Sequence, residues 1–179
     1  MTRRTRIGAV TAGIAVTFVL AGAARAVDFG SLAGKAAGSA GSAARDKLVK
    51  EVNAKLLAEG RKDQCSFKTD SDELAPGCDK KVKKLASTLV DVKKRLKVAG
   101  VTSYKFEVSG HTDSSGKAAH NKDLSGKRAA VMVRELVARG ISPGEIISVG
   151  MGSERPLVTP DDTPAKKAKN RRYEIQVRF

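Results

Sequence analysis

The sequence predicts an α+β domain, a small mixed sheet with helices packed on one of its faces. Three observations carry that prediction. Alternating and helically spaced segments follow one another as strand, helix, strand, helix, strand, with a loop and a last strand behind them. The helical segments are apolar on one side only, so each has a single face to bury. Four short strands are too few to close a membrane barrel.

Taken in order, residues 64–68 read as a short first strand. Residues 79–99 set Val82, Leu85, Leu89, Val92 and Leu96 on one side and lysines on the other, a helix stopped by Gly100. Tyr104, Phe106 and Val108 alternate with polar neighbours over 103–109, a strand. Residues 121–139 form a second long helix, capped at Asn121 and stopped at Gly140, with Pro143 beyond it. Residues 145–149 are strand-like, and Tyr173, Ile175, Val177 and Phe179 alternate through a final strand.

Ahead of this domain, assigned to 61–179, the chain begins with arginines, runs apolar from Ile7 to Ala24 and reaches Ala24-Arg25-Ala26, a small-x-small site. That is the layout of a signal peptide over 1–26, cleaved after Ala26. An uncleaved inner-membrane anchor is the alternative, because the 18 residues from Ile7 to Ala24 just suffice to span a bilayer. The run holds no ionisable residue, which argues against ion coupling in a stator-like protein but leaves a simple anchor open. Residues 27–44 are rich in Gly, Ala and Ser and read as a linker. Residues 45–60 place Leu48, Val52 and Leu56 at helical spacing, a short amphipathic helix that packs on the domain, on a second copy in a homodimer, or on a membrane.

Losing residues 1–26 removes four arginines and no acids, leaving 30 basic against 19 acidic residues, a net charge of +11. An anionic partner follows. Nucleic acid is excluded by export and by aromatics too few for base stacking; a wall or an anionic membrane surface remains. Cys65 and Cys78 are the only cysteines, and in an oxidising compartment a disulfide between them is the default, worth roughly 3 kcal/mol in the chain-entropy treatment. Two cysteines with no histidine nearby make a poor metal site.

Chemistry concentrates in Gly110-His111-Thr112-Asp113 and the helix after it, through Asn121, Leu124-Ser125 and Arg128-Ala129. A loop leaving a strand end is where ligand sites gather. Here it sets the Asp113 carboxylate near the Arg128 guanidinium, with Thr112, Ser114 and Asn121 as donors close by. An acid and a base facing one space suit a zwitterion; equally, the two side chains could pair with each other and only fix the loop. Gly126, inside the helix, suggests a close approach there of backbone or ligand.

These residues, together with Gly150-x-Gly152, Pro156, Thr163 and Asn170-Arg171-Arg172 before the last strand, resemble the signature of the OmpA-like C-terminal domain family, in the family's order over about 64–179. The resemblance implies the family's βαβαβ-β sandwich. It also implies non-covalent binding of peptidoglycan through the diaminopimelate of its stem peptide, in a periplasmic, wall- or outer-membrane-associated protein contributing to envelope integrity. Asp113 would hold the ligand's ammonium and Arg128 its carboxylate. Thr112 and Asn121 would line the pocket, and Arg172 would add charge to its rim. Outer-membrane or other envelope proteins are further partners it suggests. His120 departs from the aromatic or apolar residue usual before that Asn, and the stretch around Cys65 matches poorly.

An enzyme is the rival class. His111 with Asp113 and His120 could be read as metal ligands, yet no HExxH, Gly-x-Ser-x-Gly or Cys–His arrangement is present. The expectation is a binding protein without catalytic residues, metal or cofactor, in which His111 hydrogen-bonds the loop.

Overall fold

The computed structural model describes residues 29–68 and 70–179, with side chains from Gly41 onward. The expected signal peptide over 1–26 lies outside the described residues. Eight elements follow one another: helix α1 (Phe29–Lys62), helix α2 (Cys78–Val98), strand β1 (Lys105–Gly110), helix α3 (Ala118–Val137), a 3-10 turn (Pro143–Glu145), strand β2 (Ile146–Gly150), helix α4 (Pro164–Asn170) and strand β3 (Tyr173–Arg178). No described helix is long and apolar enough to cross a membrane.

β1 is central in a three-stranded mixed sheet. β2 runs parallel to it, with Phe106 opposite Ile146 and Gly110 opposite Gly150. β3 runs antiparallel, with Phe106 opposite Val177 and Gly110 opposite Tyr173. The two-residue period then puts Phe106, Val108, Ile146, Ile175 and Val177, all buried, on one face. The core forms there, against Val82, Leu85, Leu89, Val92 and Leu96 of α2 and Ala129, Met132 and Leu136 of α3. The α2 stripe is the one its spacing predicts. Gly100 and Gly140, both at positive φ, end α2 and α3 where a side chain would be strained.

Three expectations are corrected. First, residues 64–68 form no ladder strand; among the described residues only a single bridge, Phe67 with Leu74, involves them. The outer edge of β3 is instead met by two amide side chains. Asn53 donates to the Val177 carbonyl (3.2 Å) and accepts from its N–H (2.7 Å), and Gln64 does the same at Tyr173 (2.8 and 3.2 Å). Each amide, with a donor and an acceptor side by side, imitates one residue of a strand.

Second, α1 starts at Phe29 and runs through the stretch read as a linker. Once Val52 and Leu56, both fully buried, dock the helix, an alanine-rich tract can extend it residue by residue without a new nucleus. α1 packs on β3, the plainest of the three options its sequence left open. Third, α3 starts at Ala118 rather than at Asn121, whose side chain turns back to the preceding loop instead of capping the helix.

Candidate ligand-binding site

A cavity of about 1150 Å³ opens between the loop after β1, the N-terminal half of α3, the α4–β3 corner, residues 64–68 and Asp70. The sheet and α3 position its inner wall by very close contact. A Cβ on Gly110 would lie 2.2 Å from the Ser125 carbonyl oxygen, and one on Gly150 would lie 2.7 Å from the Gly126 nitrogen. Only glycine lets the helix backbone sit that near the strands. A Cβ on Gly126 itself would meet nothing nearer than 3.8 Å, so the close approach inferred there is made possible by its neighbours. Ser125 fixes the contact, accepting from the Gly152 N–H at 2.8 Å.

The loop carrying Asp113 is held from several sides. The His111 N–H donates to the Arg172 carbonyl (2.8 Å) and the Thr112 N–H to that of Gly152 (2.9 Å). Asn121 Nδ2 donates to the carbonyls of Ser115 (2.8 Å) and Asp113 (3.4 Å). Asp161, itself buried, accepts from the Ser114 N–H, the Ser114 hydroxyl and Asn170 Nδ2. Those bonds hold its carboxyl down at about 2.

Asp113 is buried in this loop. Its Oδ1 accepts from the Ser115 N–H at 3.0 Å and its Oδ2 from Arg171 Nη1 at 2.7 Å. Burial pushes its pKa up, but the Arg171 and Ser115 bonds outweigh burial and leave it below the usual carboxylate value. Each oxygen retains a lone pair for a further donor.

Arg128 projects from the same face of α3 as Asn121 and Ser125. It does not pair with Asp113. Its Nε donates to the Ser71 carbonyl (2.9 Å), its Nη2 to that of Lys68 (3.3 Å), and the guanidinium lies 5.1 Å from the Phe67 ring centroid. No carboxylate lies within 4.0 Å of it among the described residues. Burial and then the Arg171 charge lower its pKa, against the opposing charges of Asp70, Asp113 and Asp72.

Thr112 lines the cavity, and its hydroxyl is buried without a hydrogen-bond partner. Arg172 reaches the cavity wall but is buried and committed, with Nε 2.8 Å from Glu174 and Nη2 donating to the Arg155 carbonyl. The exposed guanidinium at the rim is that of Arg171, which the sequence reading missed. The signal was available: residues 172 and 174 share one side of an extended chain and carry opposite charges, which leaves Arg171 turned the other way.

Two further expectations fail here. His111 hydrogen-bonds the loop only through its backbone; both ring nitrogens are buried without hydrogen bonds, and Nε2 stands 3.9 Å from Glu174. Cys65 and Cys78 are free, buried thiols rather than a disulfide. Each Sγ faces a carbonyl across the intervening loop, Cys65 that of Cys78 (3.7 Å) and Cys78 that of Ser66 (3.8 Å). Burial, and then the neighbouring Cys78, push the Cys65 thiol well above its ordinary pKa. His120, at the cavity mouth, pairs with Asp70 at 2.8 Å. Among the described residues no three His, Cys, Asp or Glu side chains are grouped to hold a metal.

A mixed sheet with helices on one face, carrying a cation-rich cleft at its strand ends, is a domain of the α+β class. The chain belongs to the OmpA family, whose profile matches residues 66–171, more than half of its length. It is 41% identical over 73 residues to the peptidoglycan-binding protein ArfA of Mycobacterium bovis, covering 41% of this chain and 22% of that protein. It is 35% identical over 111 residues to the peptidoglycan-associated lipoprotein of Pseudomonas aeruginosa, covering 62% of this chain and 59% of that one. The chain thus spans about a fifth of the first relative and three-fifths of the second.

Two solved structures share the fold. The peptidoglycan-associated lipoprotein of Burkholderia pseudomallei superposes with a TM-score of 0.53 at 23% identity, over 64% of this chain and 89% of that one. The C-terminal domain of Helicobacter pylori MotB gives 0.54 at 22%, over 65% and 84%.

Proposed function

We propose that this chain is a non-enzymatic peptidoglycan-binding protein of the cell envelope, which grips the diaminopimelate of the stem peptide in the cavity beside Asp113 and Arg128. The observation that carries the reading is the unbalanced Arg128, half-buried at a cavity that also presents an ionised carboxylate with lone pairs to spare. A ligand carrying an ammonium and a carboxylate answers both needs. Asp113 takes the ammonium and Arg128 the carboxylate, while the Thr112 hydroxyl and Asn121 line the pocket. The names of the relatives, ArfA and the peptidoglycan-associated lipoproteins, point to the same polymer. Export to the periplasm by a cleaved signal peptide, and a tether between wall and membrane if that segment is retained, complete the reading.

Sedimentation with insoluble sacculi tests it. The protein is expected to pellet with the wall, and Asp113→Ala and Arg128→Ala to lose about tenfold or more in affinity, the scale of one charge-assisted contact. Both variants are checked for native circular dichroism. Undiminished co-sedimentation of both folded variants overturns the site.

A further inference from the structure

A basic edge beside the cavity is left unused by that reading, and α4 with its C-terminal end supplies it. Lys167 Nζ donates to Ser115 Oγ at 2.8 Å, Lys169 lines the cavity, and Arg171 holds Asp113 at 2.7 Å. Lys167 on α4 and Arg171, the residue just beyond its C-terminal end, both reach the 113–115 loop.

The charges around the cavity do not balance. Arg61 and Arg172 share Glu174 (3.8 and 2.8 Å), and Lys68 has Glu73 (2.5 Å). Among the described residues, Arg128, Lys167 and Lys169 have no carboxylate within 4.0 Å, and Arg171 has Asp113 alone. A ligand ammonium placed on Asp113 takes half of that anion away from Arg171. One ligand carboxylate on Arg128 then still leaves Lys167, Lys169 and Arg171 short of negative charge. The space points the same way, because about 1150 Å³ exceeds what drug-sized ligands usually fill and far exceeds one amino-acid end.

We propose that Lys167, Lys169 and Arg171 form a second anion subsite, which takes a further free carboxylate of the same stem peptide and so discriminates against amidated wall. The inference rests on the diaminopimelate reading above. Lys167 is half-buried and Lys169 exposed, so the subsite tunes affinity and does not create it.

Calorimetry on the full chain, with three synthetic peptides, separates the possibilities. One is L-Ala-γ-D-Glu-meso-diaminopimelate with all carboxylates free, the second is amidated on the glutamate, and the third on the diaminopimelate carboxylate at the chain terminus. One of the two amides is expected to bind the unmodified protein about threefold or more weakly than the free acid, which identifies the carboxylate read. The double variant Lys167→Ala/Lys169→Ala is expected to bind the free acid as weakly as that amide, with the gap between them gone. The gap should also shrink as salt rises. Equal affinity for all three peptides, or a gap that survives in the double variant, overturns the subsite and leaves the diaminopimelate reading standing. Failure of the unmodified protein to bind any of the three overturns both.

Discussion

At the scale of single residues, two buried side chains, His111 and Asp161, respond to acid in different windows. His111 is 2% exposed with both ring nitrogens unpartnered, and burial, then the Arg172 charge, lower its pKa from 6.5 to about 4. Between those values the unfolded chain binds a proton that the folded chain refuses. Its contribution therefore lowers stability as pH falls from about 6.5 towards 4 and levels off below that. Asp161, held at about 2 by Ser114 and Asn170 against 3.8 unfolded, acts only below about pH 4, where protonation removes the stability its ionised form supplies. Urea unfolding across pH should accordingly show two slopes. His111→Leu should flatten the upper one while leaving a folded protein at pH 7, since no ring hydrogen bond is lost. Asp161→Asn should flatten the lower one. An upper slope unchanged by His111→Leu would mean that some other group carries it.

At the scale of elements, legibility followed periodicity. α2 can be read to its individual core residues because its pattern repeats over about six turns, whereas the sequence places the start of α3 three residues late, since Asn121 resembles a cap and is a loop clamp. The first strand was misread because Gln64 acts through its side chain, imitating strand pairing with an amide that no backbone pattern reveals. Asp113 and Arg128 are legible as a pair of charges, but not their separate partners, which come from residues 57 or more positions away in the chain: Arg171 for one, Ser71 and Lys68 for the other. The glycines at the α3–sheet contact show what position adds to identity. Gly126→Ala meets only ordinary contact and removes a helix-interior glycine, so it should stabilise by about 0.5–1 kcal/mol. Gly150→Ala would force a methyl against the Lys122 carbonyl and the Gly126 nitrogen and should cost about 1–3 kcal/mol or more. Urea midpoints for the two variants should move in opposite directions; a loss of stability in Gly126→Ala would show that the helix cannot accept even a methyl there.

At the scale of the molecule, the family profile begins at residue 66, yet the folded unit does not. Val52 and Leu56 of α1 are fully buried in the common core, and Asn53 and Gln64 satisfy the edge of β3, the strand that leads out of the site's Asn170-Arg171-Arg172 corner. α1 therefore replaces an edge strand, and removing it would strip two core side chains and reopen a strand edge beside the cavity. Leu56→Ala alone should cost about 2–5 kcal/mol. A chain starting at Asp63 should lose its cooperative unfolding transition, whereas one starting at Gly41, which keeps Val52, Asn53 and Leu56, should retain it. Circular dichroism during urea titration of the two truncated chains decides the matter. Were the Asp63 chain to unfold cooperatively at the same midpoint as the Gly41 chain, α1 would be a segment resting on a domain complete without it, and the Asn53 contact at β3 would contribute nothing to its stability.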